Sequence, residues 1–229
     1  MNFEILDDNW KLRGEIEVFE SILQELETIS THAFPDDLLR FETEWRIGRA
    51  HHFAAMRALE HGDLSTAKWR FRKGHEAARW GWAHQPERVE GIFWESVCLL
   101  EAVRLQGKIP TLLTLGETRK NLNRALKDDE TFHFAGSHRV LGRIFYLAPR
   151  FVGGDSRKSE AHFRRALEIA DNSTTRLYFG EFLASQSRKG EAKTQFEAIL
   201  AAQADEHWLW EQARDRILAQ NWLEKTPSQ

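Results

Sequence analysis

Apolar residues recur along this chain at helical spacing, and glycines or other small residues punctuate them. Leu12, Ile16, Phe19, Leu23 and Leu26 fall at alternating steps of four and three, which predicts one amphipathic helix from about Asp8 to Ile29. Asp7 or Asp8 is placed to cap its first amides. Thr31 to Pro35 interrupt the pattern, and Pro35-Asp36-Asp37 opens a second helix with acidic residues at its positive dipole end. That helix runs to about Leu59 and stops at His61-Gly62. Its partner, Leu64 to about Trp82, carries Ala67, Phe71 and Gly74. Gln85 to Glu90 reads as a loop around Pro86.

The second half repeats the theme. Helices are expected over Val89 to Leu105, into a segment ending near Lys127, then Ser137 to Leu147, Ser156 to Ala170, Thr174 to Ser187 and Gly190 to Ala202. A last helix, about Glu206 to Lys225, is expected to cap the row, with fraying of the final residues. Ala148 to Asp155 is longer than a simple repeat turn.

One signature recurs through these pairs. A small residue on the first helix is followed by a turn and then by Ala and Phe four apart, most clearly at Gly180, Gly190, Ala192 and Phe196. Echoes lie at Gly62, Ala67, Phe71 and Gly74, at Leu122 and Ala125, and at Leu141-Gly142 with Phe163 and Ala166. Such units cannot bury their apolar faces alone, so they stack. The expectation is an all-α superhelix of stacked antiparallel helix pairs, one domain over residues 1–229. It comprises an N-terminal helix (1–35), about four pairs (36–205) and the capping helix (206–225). Binding or scaffolding is the default for that shape.

Composition narrows this further. Hydrophobic residues make up 41% and charged residues 29%, which excludes a disordered chain. The net charge of −3 provides no overall attraction to nucleic acid, so no such partner is expected. No run approaches the ~20 apolar residues a membrane span needs. The start, Met1 to Asp8, has no basic or apolar leader region. Cys98 is the single cysteine, expected in the core within Phe93 to Leu100, so no intramolecular disulfide or cysteine zinc site can form.

Catalytic motifs are missing. Gly107-Lys108-Ile109 lacks the rest of a phosphate loop, and no Gly-x-Gly-x-x-Gly or Gly-x-Ser-x-Gly occurs. His75-Glu76-Ala77-Ala78-Arg79 resembles a zincin helix with Arg79 in place of the second histidine. His51 and His52 point about 100° apart on a helix, which suits packing. His133 and His138 flank a helix start, where capping or loop contacts account for them. No catalytic residue, metal ligand or cofactor is expected. The nine tryptophans are expected mostly at helix contacts, the alternative being an aromatic-lined pocket.

Arg139, Arg143 and Tyr146 fall at successive steps of four and three and so share a face. Two arginines there can bind a carboxylate of a ligand or partner. The competing reading is an internal pair with Glu95 or Glu181.

His138-Arg139-Val140-Leu141-Gly142-Arg143-Ile144-Phe145-Tyr146-Leu147-Ala148-Pro149, with Gly153-Gly154-Asp155, Lys158, Ala161, Phe163, Ala166 and Leu167 after it, resembles the T component of TRAP (tripartite ATP-independent periplasmic) transporters. The upstream Gly91-Ile92-Phe93-Trp94-Glu95 and the later Asp205 and Trp208 are similar too, so the resemblance spans about Val89 to Leu223. It implies a non-enzymatic stack of variant tetratricopeptide repeats that docks a solute-binding protein and holds a small apolar or anionic ligand. The first helix of each pair would line the concave face, with Arg49, His52, Met56, Arg139, Arg143, Tyr146, Leu177 and Glu181 on it, and Trp94 and Glu95 beside them. The protein would be periplasmic if a leader is removed and cytoplasmic if Met1 is the native start. In the second case the alternative is an intracellular adaptor gripping a peptide or protein in the same groove. Monomer and ring both remain open.

Overall fold

The structure is a computed structural model that describes residues 3–32 and 34–226. Eleven α-helices and no strand occur among the described residues. They are α1 (Phe3–Asn9), α2 (Ile16–Ser30), α3 (Asp37–Glu60), α4 (Leu64–His84), α5 (Val89–Arg104), α6 (Lys108–Asp128), α7 (Phe132–Leu147), α8 (Ser156–Ile169), α9 (Ser173–Ser185), α10 (Lys189–Ala201) and α11 (Leu209–Lys225). Short 3-10 turns occupy Trp10–Leu12 and Arg150–Val152. The expected fraying at the C-terminus falls on residues 227–229, which lie outside the described residues.

Helix starts follow local chemistry. Asp36, Asp63, Asp155 and Asn172 sit before α3, α4, α8 and α9, and each side chain accepts a hydrogen bond from one or two first-turn amides. Pro110 falls in the first turn of α6, where its missing N–H costs nothing, so the helix begins at Lys108.

One expected helix is corrected. The stripe from Leu12 to Leu26 does not run through a single helix. The chain turns at Arg13 and Gly14, and α2 begins only at Ile16. Arg13 is 2% exposed and donates from Nε to Glu211 and from Nη2 to the His207 carbonyl. Satisfying that buried guanidinium bends the backbone, which leaves Leu12 and Ile16 exposed while Phe19, Leu23 and Leu26 are buried.

The chain forms two compact units. One comprises the residues up to Ile22 together with those from His133 onward; the other comprises Leu23 to Phe132. In the Leu23–Phe132 unit, α3 packs on α4, α4 on α5 and α5 on α6, and α3 also touches α5. That ladder of sequential and next-but-one contacts is how stacked pairs bury their stripes. Phe71 anchors it, packed with Ala55, Ala67 and Ala102. In the other unit, α8, α9, α10 and α11 pack in sequence and α9 also touches α11. Its core gathers Phe163, Phe179, Phe182, Leu183, Phe196 and Ile199. Each fully buried Phe contributes about 1.5–3 kcal/mol.

Candidate functional site

Arg139 and Arg143 leave α7 towards different partners. Arg143 donates from Nη1 to Glu181 Oε2 at 3.1 Å and lies over the Tyr178 ring at 3.8 Å. Its side chain is 35% exposed and that of Glu181 is 41% exposed, so the pair sits where a partner can reach it. Of the two internal carboxylates considered for it, Glu181 is the one in contact. Tyr146 meets Phe182 edge-on at 5.7 Å and belongs with the core. Leu177 is buried.

Arg139 is 5% exposed and faces inward. The first turn of α7 explains why. His133, Phe134 and Ala135 all have left-handed backbone, with φ of 53°, 56° and 55°. The Arg139 guanidinium donates to two of their carbonyls, Phe134 O at 3.0 Å and His133 O at 3.3 Å. It also lies 5.3 Å from the Trp208 ring centre. Burial holds its pKa down, at about 10, which leaves it charged at neutral pH.

A polar network that spacing did not reveal stands beside it. Asp215, fully buried, accepts from Ser173 Oγ at 2.8 Å, from Thr174 Oγ1 and from Arg214 Nη2 at 2.8 Å. Trp208 Nε1 donates to Thr174 Oγ1 at 3.1 Å. These residues come from α9, α11 and the turn before α11. The one sequence signal was Asp215 itself, an acidic residue on the buried stripe of the last helix.

The remaining candidates lie in the Leu23–Phe132 unit. His52 packs 5.5 Å from Phe71 and 5.4 Å from Trp94. Met56 packs against the Phe71 cluster, and Trp94 is 3% exposed. Arg49 stacks 5.0 Å from the Trp45 ring. Glu95 is buried, with His75 Nδ1 at 3.6 Å and Asn121 Nδ2 donating at 3.4 Å, and burial raises its pKa. These side chains are wall material more than open groove. His51 and His52 diverge: His51 meets Trp69 and Arg70. His138 and His162 share a hydrogen bond, Nδ1 to Nδ1, at 2.8 Å. No group of three or more His, Cys, Asp or Glu side chains placed to hold a metal occurs among the described residues. Nor does any described helix have the length and apolar character to cross a membrane.

The α7–α8 connection is closed by backbone hydrogen bonds and carries an apolar tip. Gly154 N donates to Pro149 O and Asp155 N to Phe145 O, both at 3.0 Å. A Cβ on Gly154 would overlap the Ala148 carbonyl oxygen, so only glycine fits. The turn displays Phe151, 83% exposed, next to Leu147, 56% exposed.

No curated protein matches the sequence. Among solved structures, the crystal structure of a thermophilic TPR protein from Thermus thermophilus is similar, with a TM-score of 0.61. Identity is 18%, over 92% of this chain and 91% of that one. That likeness establishes the tetratricopeptide-type fold. The model of the TRAP transporter T-component family matches residues 47–214, which reaches further towards the N-terminus than the motif resemblance from Val89. The match takes in the α7 motif, the Gly-Gly-Asp connection and most of both compact units, and on it the chain belongs to the TRAP transporter T-component family.

Proposed function

We propose that this protein is a non-enzymatic scaffold that docks a solute-binding protein of its transporter system. Family membership over residues 47–214 is the observation that carries this reading. Both the family and the tetratricopeptide fold are non-catalytic kinds of protein. Two surface features support it. The Arg143–Glu181 pair is half-exposed, so a partner carboxylate can take the place of Glu181 on the guanidinium. Phe151, the type of aromatic anchor that dominates interface energies, stands on a turn closed by backbone hydrogen bonds, which lowers the backbone ordering cost of binding through it.

The test is binding of the purified full chain to the solute-binding protein of the same source, followed by surface plasmon resonance. Saturable binding is expected. Arg143→Ala and Phe151→Ala are each expected to weaken it by roughly tenfold or more. No binding by the native chain, or full binding by both variants, overturns the reading.

A further inference from the structure

The face of α3 bearing Arg40, Glu44, Ile47 and His51 runs alongside the face of α4 bearing Trp69, Lys73, Glu76, Ala77 and Trp80, with Glu27 and Ser30 of α2 at the border. Together they border a shallow, open cleft of about 450 Å³. That is within the ~300–1,000 Å³ typical of small-molecule sites. Both stripes cover eleven helical steps, so the cleft extends on the order of 16 Å along the helices.

Its polar lining is bipolar and loosely paired. The Glu44 carboxylate is 8% exposed, yet among the described residues it accepts only from Ser30 Oγ at 3.3 Å. Arg40 Nε is 3.7 Å from Glu44, too far for a hydrogen bond, and that buried nitrogen donates to no other group. A buried carboxylate and one buried guanidinium N–H, on an Arg40 side chain that is otherwise 42% exposed, thus stand side by side with hydrogen-bonding capacity unused, which is unfavourable without further partners. Burial accordingly raises the Glu44 pKa. The Arg40 guanidinium lies over the Trp80 ring, 3.8 Å from its centre, an attraction that favours this position. Lys73, which donates to Glu76 Oε2 at 3.1 Å, adds a second cation, and Glu27 and Glu76 add two carboxylates, while His51, held neutral, adds no charge. Trp69, 42% exposed, supplies an open apolar wall.

From these we infer that the α3–α4 cleft is a binding site for a small zwitterion of amino-acid or dipeptide type with an apolar side chain. The ligand ammonium completes the coordination of Glu44, its carboxylate takes the unused Nε–H of Arg40 and a second donor of Lys73 beside the one Glu76 holds, and its side chain lies on Trp69. A purely anionic ligand would face Glu44, Glu27 and Glu76, and a purely apolar one would leave the Arg40–Glu44 groups unsatisfied. The inference does not depend on docking of a solute-binding protein.

Isothermal titration calorimetry of the full chain tests it, using L-phenylalanine and L-leucyl-L-phenylalanine as probes. Each is compared with its N-acetylated and C-amidated forms. Saturable binding of at least one zwitterion is expected, with blocked forms weaker by about tenfold or more, the cost of one lost charged hydrogen bond. Binding of the free amino acid would assign the site to amino acids; binding of the dipeptide alone would assign it to peptides. Glu44→Gln preserves shape and removes an ill-paired buried charge, so it should fold, and it is expected to lose about tenfold in affinity. Trp69→Ala, at an exposed ring, is a second variant expected to lose affinity. No saturation by either zwitterion at about 10 mM, equal binding of blocked and free forms, or native affinity in both variants overturns the proposal.

Discussion

A Cβ on Gly180 would stand 2.7 Å from Cζ of Phe196, so the ring on α10 fills the space that any other residue on α9 would need. Gly142 and Phe163 repeat the relation between α7 and α8, at 2.9 Å. Phe163 and Phe196 are both essentially unexposed. The small-residue and Phe signature is therefore one contact made twice: a glycine that admits a ring from the next helix.

Gly180→Ala is expected to destabilise the protein. Alanine gains about 0.5–1 kcal/mol of helix stability, but overpacking against Phe196 costs about 1–3 kcal/mol. A net loss of roughly 1–2 kcal/mol in urea unfolding is expected. Gly190→Ala is the control, because a Cβ there meets nothing within 4 Å. It should be neutral or stabilising. Equal effects at the two sites would show that the ring contact does not matter.

What the sequence made legible was set by periodicity and by size. Helix positions followed the apolar stripes, and Gly180 with Phe196 announced their own contact. The bend at Arg13 was not legible, because its cause, Glu211, lies 198 positions away. Spacing puts Arg139 on one face of an ideal helix with Arg143 and Tyr146, which suggests a shared role for the two arginines. The left-handed turn at His133–Ala135 gives it inward partners, and no glycine or asparagine marks that turn in the sequence. The cleft beside Trp69 and Trp80 was invisible for a different reason. Its chemistry lies in two stripes on α3 and α4 whose spacing each looks ordinary.

Arg139 is expected to hold the α7 turn. Three non-glycine residues in left-handed backbone cost about 1–2 kcal/mol each, and two charge-assisted hydrogen bonds at about 1.5–3 kcal/mol each offset much of this. Arg139→Met keeps the stem and removes the donors. A loss of about 2–4 kcal/mol is expected in urea unfolding. Amide exchange of residues 133–136 should accelerate beyond what the global loss explains. Unchanged exchange there would mean the turn is held by other contacts.

Cys98 should be inert in the folded protein. It is fully buried, its Sγ faces the Gly48 carbonyl at 3.7 Å, and burial raises its thiol pKa well above the ordinary value. The thiolate is the reactive form. Labelling by a disulfide reagent at pH 8 is expected to be negligible in native conditions and complete in urea. Rapid native labelling would show that α3, α4 and α5 open locally.

Acid should weaken the fold through His51. Its ring is 3% exposed, with Arg70 Nη1 at 3.2 Å from Nδ1 and Glu27 Oε1 at 3.7 Å from Nε2. Burial, then the charges of Arg70 and Lys73, lower its pKa to about 3. An unfolded histidine titrates near ~6.5. Between those values the unfolded chain binds the proton and the folded chain does not, so stability rises with pH across that window. The contribution is complete above about pH 6.5 and lost as pH falls towards 3. From pH 8 to pH 5 the loss is on the order of 2 kcal/mol. His162, with its pKa lowered to about 4 by burial and by His138, acts in the same direction. Comparison with His51→Gln removes that shared background. The variant should be less stable than the native chain at pH 8, and the gap should narrow by about 2 kcal/mol at pH 5. Urea midpoints at the two pH values measure it, and parallel curves would show that His51 does not carry the acid sensitivity.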